Sequence, residues 1–272
     1  MTALQWLMLP LVGAAGGFLA GMLGVGGGII FIPLLTWLFA SLGLPQEEIV
    51  RFTLANSILL VVVSGLTGTW KQHRMGEWQW RKVLSVGVPG AIVSYIITYA
   101  IQHGDWYSKD RFNMVFLFFL AISTANMIFG KKTDPDAPIS EEKPFHAVLV
   151  GIFAGAVVAL SGLGGGVIMV PLFRMVLKMP MRQATALSLS IIPVLGLAPL
   201  AGYLMISNAT ALPFIHTGYV AWPYALPMAA GVAIFATLGM KVAKRISETT
   251  LRIIFAILSS IVIVKTLYDI FS

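Results

Sequence analysis

The chain has 272 residues, a mass of 29.3 kDa and no cysteine; charged residues make up 11% of it and apolar residues 58%, and the mean hydropathy is +0.88. A soluble domain carries about 25% charged residues, so this composition excludes a water-soluble fold, and the lack of cysteine excludes disulfides, thiolate chemistry and cysteine-ligated metals. The net charge of +7 lies in short loops, so no nucleic-acid partner is predicted.

The first half of the chain is predicted to lie in the bilayer. A bilayer core about 30 Å thick needs roughly 20 apolar residues in a helix. Long charge-free runs cover residues 1–46, 52–70, 83–104 and 112–130. Because the first run carries no charge, it lacks the basic region of a signal peptide. A linker rich in proline and acidic residues follows at 131–144 and is predicted to be solvated.

Three further apolar runs follow the linker. They cover residues 147–173, 183–240 and 253–264. The middle run is long enough for two helices, which Asn208 and the turn-like Pro213–Gly218 region divide. None of the runs shows the period-two alternation of a membrane β-barrel, so an all-α integral membrane protein is predicted.

An internal repeat relates the two halves. Residues 13–35 and 151–173 are identical at nine of 23 positions when they are aligned with an offset of 138. Such a repeat indicates a duplicated unit. We therefore predict a first membrane repeat at 1–130, a cytoplasmic linker at 131–144 and a second membrane repeat at 145–272.

The charges of the loops predict that the two repeats are inverted. Basic residues mark the cytoplasmic side. The loop at 71–82 is basic and its counterpart at 207–218 has no lysine or arginine, whereas the loop at 103–111 is balanced and its counterpart at 241–252 is basic. Opposite bias in corresponding loops indicates inverted repeats. Each half must then cross the membrane an odd number of times, so each is predicted to contain a glycine-rich re-entrant or broken helix hairpin plus three transmembrane helices.

The turn of each predicted hairpin is a glycine cluster, which is the strongest functional signal in the sequence. The clusters are Gly24, Gly26, Gly27 and Gly28, and Gly162, Gly164, Gly165 and Gly166. Each glycine costs a helix interior about 1 kcal/mol relative to alanine, and glycine permits positive φ. The half-helix after each cluster would bring unpaired amides and a positive dipole end into the membrane, where they could bind an anion. The alternative is that the glycines only allow helices to pack closely.

A stripe of small residues precedes each cluster at every fourth position. The stripes are Gly13, Gly17 and Gly21, and Gly151, Gly155 and Ala159. They are predicted to be contact faces between helices.

A short polar patch follows each hairpin. The patches contain Asn56 and Ser57 in the first half, and Thr185 and Ser188 in the second. Aligning Arg51 with Arg182 pairs Ser57 with Ser188. These hydroxyl and amide groups could donate to an anionic oxygen or join one helix to another. The two arginines are interpreted as interfacial anchors.

The sequence carries little that could serve catalysis. No aspartate or glutamate lies inside a predicted span, although proton-coupled carriers often use one. A coupled proton would then travel on the substrate, on water or on a group such as His146, although His146 is better interpreted as a plain interfacial histidine. Motifs of metalloproteases, nucleotide-binding loops and serine hydrolases are missing from the sequence. We therefore predict no enzyme, no cofactor and no metal site.

The duplicated glycine segment, its trailing proline at Pro33 or Pro171, and the patches Ala55–Ser57 and Thr185–Ser188 resemble those of the TauE/SafE sulfite exporter family, also called the 4-toluene sulfonate uptake permeases. The resemblance covers essentially the whole chain. It implies a multi-pass secondary carrier in a prokaryotic plasma or inner membrane that moves a small sulfur-containing anion such as sulfite, sulfoacetate or another sulfonate.

The prediction is therefore a secondary transporter that works by alternating access. The amides of both glycine clusters would bind the anion, with Asn56, Ser57, Thr185 and Ser188 as side-chain partners. The predicted partners are the small anion and the lipid bilayer, and association with a second copy of the chain is left open. The alternatives are an anion channel and a non-transporting membrane scaffold protein.

Overall fold

A computed structural model describes residues 3–74, 79–104, 106–129, 144–177, 179–206 and 214–271. Most of the predicted linker lies outside these residues, as do Asn208 and Pro213. The division of the chain into two repeats at this linker stays a prediction.

The described residues are almost entirely helical, which confirms the all-α prediction. The first half contains α1 (Ala3–Leu23), α2 (Gly28–Ser41), α3 (Gln46–Arg74), α4 (Trp80–His103) and α5 (Lys109–Phe129). The second half contains α6 (Pro144–Ser161), α7 (Gly166–Val176), α8 (Met181–Met205), α9 (Trp222–Ala243) and α10 (Glu248–Phe271), with the strands β1 (His216–Thr217) and β2 (Val220–Ala221) before α9.

Seven described helices are long and apolar enough to cross a membrane, namely α1, α3, α4, α5, α8, α9 and α10. The helices that begin after the glycine clusters are shorter. Helix α2 has 14 residues and α7 has 11, which corresponds to about 21 and 17 Å at 1.5 Å per residue. Neither spans a bilayer core, as expected for the second arm of a broken hairpin.

Helices α3 and α8 form the centre of the bundle and run antiparallel. A methyl group added at Gly65 would lie 2.7 Å from Pro193 Cδ, and one added at Gly68 would lie 3.3 Å from Leu189 Cβ. The end of α3 therefore lies beside the start of α8. Most of both helices is buried, whereas the outer helices leave large apolar side chains exposed, as a surface in contact with lipid requires.

The outer helices pack through the stripes of small residues. Helix α1 lies along α9, and α6 lies along α4. A methyl group at Gly17 would lie 2.6 Å from Val232 Cα, and one at Gly155 would lie 2.8 Å from Gly90 Cα. The prediction that these glycines form helix contact faces is confirmed, because a side chain at either position would force the backbones apart.

A small β-hairpin, which the sequence did not predict, closes one end of the bundle. Its strands pair antiparallel, with His216 opposite Ala221. The Tyr219 amide between them donates to the Tyr203 carbonyl at the end of α8, at 3.0 Å. The ring of Phe52 lies 5.3 Å from that of Tyr219, which seals this region with aromatic side chains. We call it the hairpin end, and we call the opposite end, where α3 ends and α8 begins, the basic end.

Candidate functional site

The two glycine clusters form sharp bends between helices, as predicted. In the first bend Gly24, Gly26 and Gly27 have φ values of 73°, 80° and 81°; in the second, Gly162, Gly164 and Gly165 have 66°, 84° and 72°. Residues other than glycine rarely adopt these angles. The backbone therefore leaves one helix and begins the next within four residues, and α2 and α7 start directly at Gly28 and Gly166.

The two bends lie against each other inside the protein. A methyl group at Gly28 would lie 2.7 Å from Leu163 Cα, and one at Gly166 would lie 2.7 Å from Val25 Cα. Each half-helix therefore begins against the backbone of the opposite bend. These residues are buried, and the approach is possible only because both helix starts lack a side chain.

Val61 of α3 lies beside both bends. A methyl group at Gly26 would lie 2.9 Å from Val61 Cγ1, and one at Gly164 would lie 2.5 Å from the same atom. The middle glycines of the two clusters thus meet one central helix from two sides.

The predicted serines connect each central helix to a bend. Ser57 Oγ donates to the Gly162 carbonyl at 2.9 Å, and Ser188 Oγ donates to the Gly24 carbonyl at 2.8 Å. Both serines are fully buried. Each hydroxyl proton is therefore engaged by a backbone carbonyl, in line with the alternative that these residues join one helix to another. Their contact with a substrate stays a prediction.

The start of each half-helix retains amides without an acceptor. In the described part of the chain, no carbonyl or side chain accepts from the Gly28 and Ile29 amides, nor from those of Gly166 and Val167. The amides one turn further on donate back to Gly27 and Gly165. A helix start with free amides carries partial positive charge, so the bends hold two sets of donors suited to an anion.

Asn56 binds the β-hairpin. Its side-chain nitrogen donates to the Tyr219 carbonyl at 3.0 Å and to the Phe52 carbonyl at 2.7 Å, and its side-chain oxygen accepts from the Ala221 amide at 3.0 Å. The residue is fully buried. The side chain thus attaches the hairpin to α3, and its predicted contact with a substrate is untested.

A cavity of about 740 Å³ opens at the basic end. Its polar lining consists of Gln72, Gln79, Arg182, Gln183, Thr185, Ser190 and Lys244. Thr185 connects the cavity to the first bend, because a methyl group at Gly24 would lie 2.7 Å from Thr185 Cα. Thr185, the predicted site residue that lines the cavity, therefore lies between the cavity and the backbone of the first bend.

The cavity carries positive charge. The charged residues of its described lining are Arg182 and Lys244, and this lining contains no aspartate or glutamate. Glu248, at the start of α10, is paired with Arg174 at 2.7 Å and with Arg252 at 2.8 Å. An anion entering the cavity therefore meets two cations and several neutral hydrogen-bonding side chains.

Sequence reasoning missed most of this lining. The Gln72 side chain donates to the Ala186 carbonyl at 2.8 Å and accepts from Ser190 Oγ at 2.8 Å. Gln72 lies in the last turn of α3 beside Lys71 and His73, and Ser190 follows Ser188 by two residues, so neither residue carried a distinct signal in the sequence. Arg182 was interpreted as an interfacial anchor and Lys244 as a topology signal, because their convergence depends on tertiary contacts.

These features define a polytopic α-helical membrane protein with two interrupted helices and an internal cavity, an architecture typical of solute transporters. A family model described as sulfite exporter TauE/SafE matches residues 9–266. The chain belongs to the TauE/SafE sulfite exporter family, and it is a multi-pass membrane transporter. The resemblance inferred from the glycine clusters is thereby confirmed.

Several similar proteins are named as transporters. The chain is 30% identical over 268 residues to a probable membrane transporter protein of Methanocaldococcus jannaschii, covering 96% of this chain and 95% of the relative. It is 25% identical over 260 residues to one of Haemophilus influenzae, covering 95% and 97%, and 21% identical over 286 residues to one of Bacillus subtilis, covering 98% of each chain. The similarity therefore extends over nearly the full length of each protein.

Proposed function

We propose that this protein is a secondary transporter that moves a small sulfur-containing anion, such as sulfite, sulfoacetate or another sulfonate, by alternating access. The observation that carries the proposal is the cavity at the basic end, which has two cations, no acid in its described lining, and one wall against the first glycine bend. The family name supports sulfur oxyanions as the substrate class.

The basic end is assigned to the cytoplasm. The cavity brings together the end of α3, the start of α8 and the end of α9, which adjoin the loops that carry the excess of lysine and arginine. Cytoplasmic loops carry this excess in membrane proteins. The protein is then in a conformation open to the cytoplasm and closed at the hairpin end by β1, β2 and the aromatic side chains around Phe52.

We propose that the two repeats exchange conformations during transport, as alternating access requires. Helices α3 and α8 run antiparallel at the centre, and each bend contacts the other through its own helix start. Parting the bends would expose the free amides of α2 and α7 to the anion arriving from the cavity. Two half-helix dipoles would replace an intramembrane arginine as the source of positive potential.

Removing either cation of the cavity tests whether the anion binds there. We expect Arg182→Gln and Lys244→Gln each to raise the half-saturating concentration of sulfoacetate, measured by thermal stabilisation of the purified protein, about tenfold, the equivalent of about 1.4 kcal/mol of binding free energy. A charge-assisted hydrogen bond has about this worth. Lys265→Gln is the control, since Lys265 is an exposed cation on α10 outside the described lining of the cavity.

Unchanged half-saturation in both cavity variants would contradict this assignment of the site. An equal loss in the Lys265→Gln control would show that net charge, and not the cavity, attracts the anion.

A further inference from the structure

Three buried polar atoms at the hairpin end have no hydrogen-bond partner among the described residues. They are Thr98 Oγ1 and Gln102 Nε2 on α4, and the Tyr203 hydroxyl on α8. Thr98 and Tyr203 are 1% and 0% exposed. Leaving such groups buried and unpaired is unfavourable. All three lie near the ends of α4 and α8, so we expect them to have partners in another state.

The packing of the outer helices indicates which positions of α4 and α9 are equivalent in the two predicted repeats. Gly13 faces Met228, and its equivalent Gly151 faces Val86. In the same way, Gly17 faces Val232, and its equivalent Gly155 faces Gly90. The partner in α9 therefore lies 142 positions after the partner in α4 in both cases. Helices α4 and α9 also begin 142 positions apart, at residues 80 and 222.

The matching contacts of Ser57 and Ser188 indicate which positions of α3 and α8 are equivalent. Ser57 and Ser188 each donate to the first glycine of the opposite bend, and they are 131 positions apart. The same offset relates Arg51 to Arg182, and it relates the ends of the two helices, residues 74 and 205.

These offsets relate part of the cavity lining to residues at the hairpin end. Met240 in α9 and Lys244, which directly follows α9, correspond to Thr98 and Gln102 in α4. In α3, Gln72 corresponds to Tyr203 in α8. Three residues of the cavity lining therefore correspond to three residues whose buried polar atoms have no partner among the described residues, whereas Gln183, Thr185 and Ser190 correspond to the apolar Phe52, Leu54 and Leu59. The cavity cation Arg182 likewise has Arg51 as its counterpart at the hairpin end.

We propose that Thr98, Gln102 and Tyr203 are the collapsed lining of a second vestibule, which opens at the hairpin end when the cavity at the basic end closes and takes the same class of anion. Arg51 supplies the cation of this vestibule, as Arg182 does in the open one. The inference rests on the proposed transport function and deepens it, because it names the residues that meet the anion on the other side of the membrane.

The contacts of Arg51 fit a group held until the vestibule opens. Its guanidinium donates to the Tyr219 hydroxyl at 3.4 Å and to the Gly104 carbonyl at 3.5 Å, and it lies 3.8 Å from a Glu48 oxygen. Tyr219 belongs to the β-hairpin turn, so displacement of the hairpin would break the contact between its hydroxyl and the guanidinium.

The lack of native cysteine makes accessibility a direct test. Single variants Thr98→Cys, Gln102→Cys and, in the open cavity, Met240→Cys are treated with a membrane-impermeant maleimide in right-side-out and inside-out vesicles, with and without sulfoacetate. Thr124→Cys is the matched control, because Thr124 is a buried threonine whose hydroxyl is paired with Ser259 at the contact of α5 and α10, at 2.7 Å.

We expect Thr98→Cys and Gln102→Cys to react only from the side opposite to Met240→Cys, and sulfoacetate to change the two labelling rates at least threefold in opposite directions. If both vestibule variants stay as unreactive as Thr124→Cys in every condition, or react from the same side as Met240→Cys, the second vestibule is refuted.

The two proposals can fail separately. If sulfoacetate changes the labelling of Met240→Cys while Thr98→Cys and Gln102→Cys stay silent, the anion site stands and the second vestibule fails. If the vestibule cysteines react from the hairpin end but sulfoacetate alters no rate, a water-filled cleft explains them, which overturns the assigned ligand and counts against the proposed function as well.

Discussion

Gly166→Ala is expected to reduce anion transport to the level of liposomes without protein. Alanine is about 1 kcal/mol more favourable than glycine in a helix, and Gly166 is the first residue of α7, so local helix formation does not oppose the change. The added methyl group, however, would overlap the Gly24 carbonyl oxygen and lie 2.7 Å from Val25 Cα. Because backbone cannot move aside like a flexible side chain, the two bends would separate or shift. Uptake in proteoliposomes, with the amount of inserted protein measured in parallel, tests this.

Gly43→Ala is the matched control for this prediction. Gly43 has a positive φ of 76°, and a methyl group there would meet nothing within 4 Å. Alanine at this position bears only the cost of a left-handed backbone, about 1–2 kcal/mol, and transport should persist. Full transport by Gly166→Ala, or equal loss in both variants, would contradict the role of the contact between the bends.

Asn56→Ala is expected to lower the thermal stability of the protein strongly, because it removes two hydrogen bonds between α3 and the hairpin. The change leaves the Tyr219 carbonyl and the Ala221 amide without their side-chain partner. An unpaired buried group costs about 1–3 kcal/mol, and two are created at once. Thermal unfolding in detergent measures the loss.

Asn126→Ala is the control that separates the bonds from Asn56 to the hairpin from its bond to the Phe52 carbonyl within α3. Asn126 donates to the Ile122 carbonyl four residues earlier, at 3.2 Å, which is the same local contact that Asn56 makes to Phe52. It has no described bond to the hairpin. A melting temperature that falls equally in both variants would show that the bonds from Asn56 to the hairpin contribute little.

The sequence predicted those features that local chemistry determines. Glycine density indicated the bends, because no other residue accepts three positive φ angles so close together. The spacing of Gly13 and Gly17 predicted a contact face, which the structure places against α9. Aligning Arg51 with Arg182 paired Ser57 with Ser188, and the structure gives these two serines reciprocal contacts.

The features that the sequence did not predict depend on tertiary contacts. Arg182 lies at the start of α8 and Lys244 directly follows α9. These positions are far apart in the chain, so their convergence on one cavity left no local pattern. The strands β1 and β2 have two residues each, too short for a periodic signal, and the hairpin is bonded to the side chain of Asn56 from a distant part of the chain. An asparagine in an apolar helix indicates a partner, but the sequence does not distinguish a backbone partner from a solute.

Counterflow in proteoliposomes tests the proposed transport function most directly. Vesicles loaded with unlabelled sulfoacetate are diluted into labelled sulfoacetate at trace concentration, and sulfite, taurine and acetate are added as competitors in separate runs. We expect a transient accumulation of label that saturates with concentration, is suppressed by sulfite and is lost in Gly166→Ala. A flux that rises linearly with concentration and is not stimulated by the internal anion would indicate a channel, and no flux above that of empty liposomes would contradict the proposed transport of sulfur anions altogether.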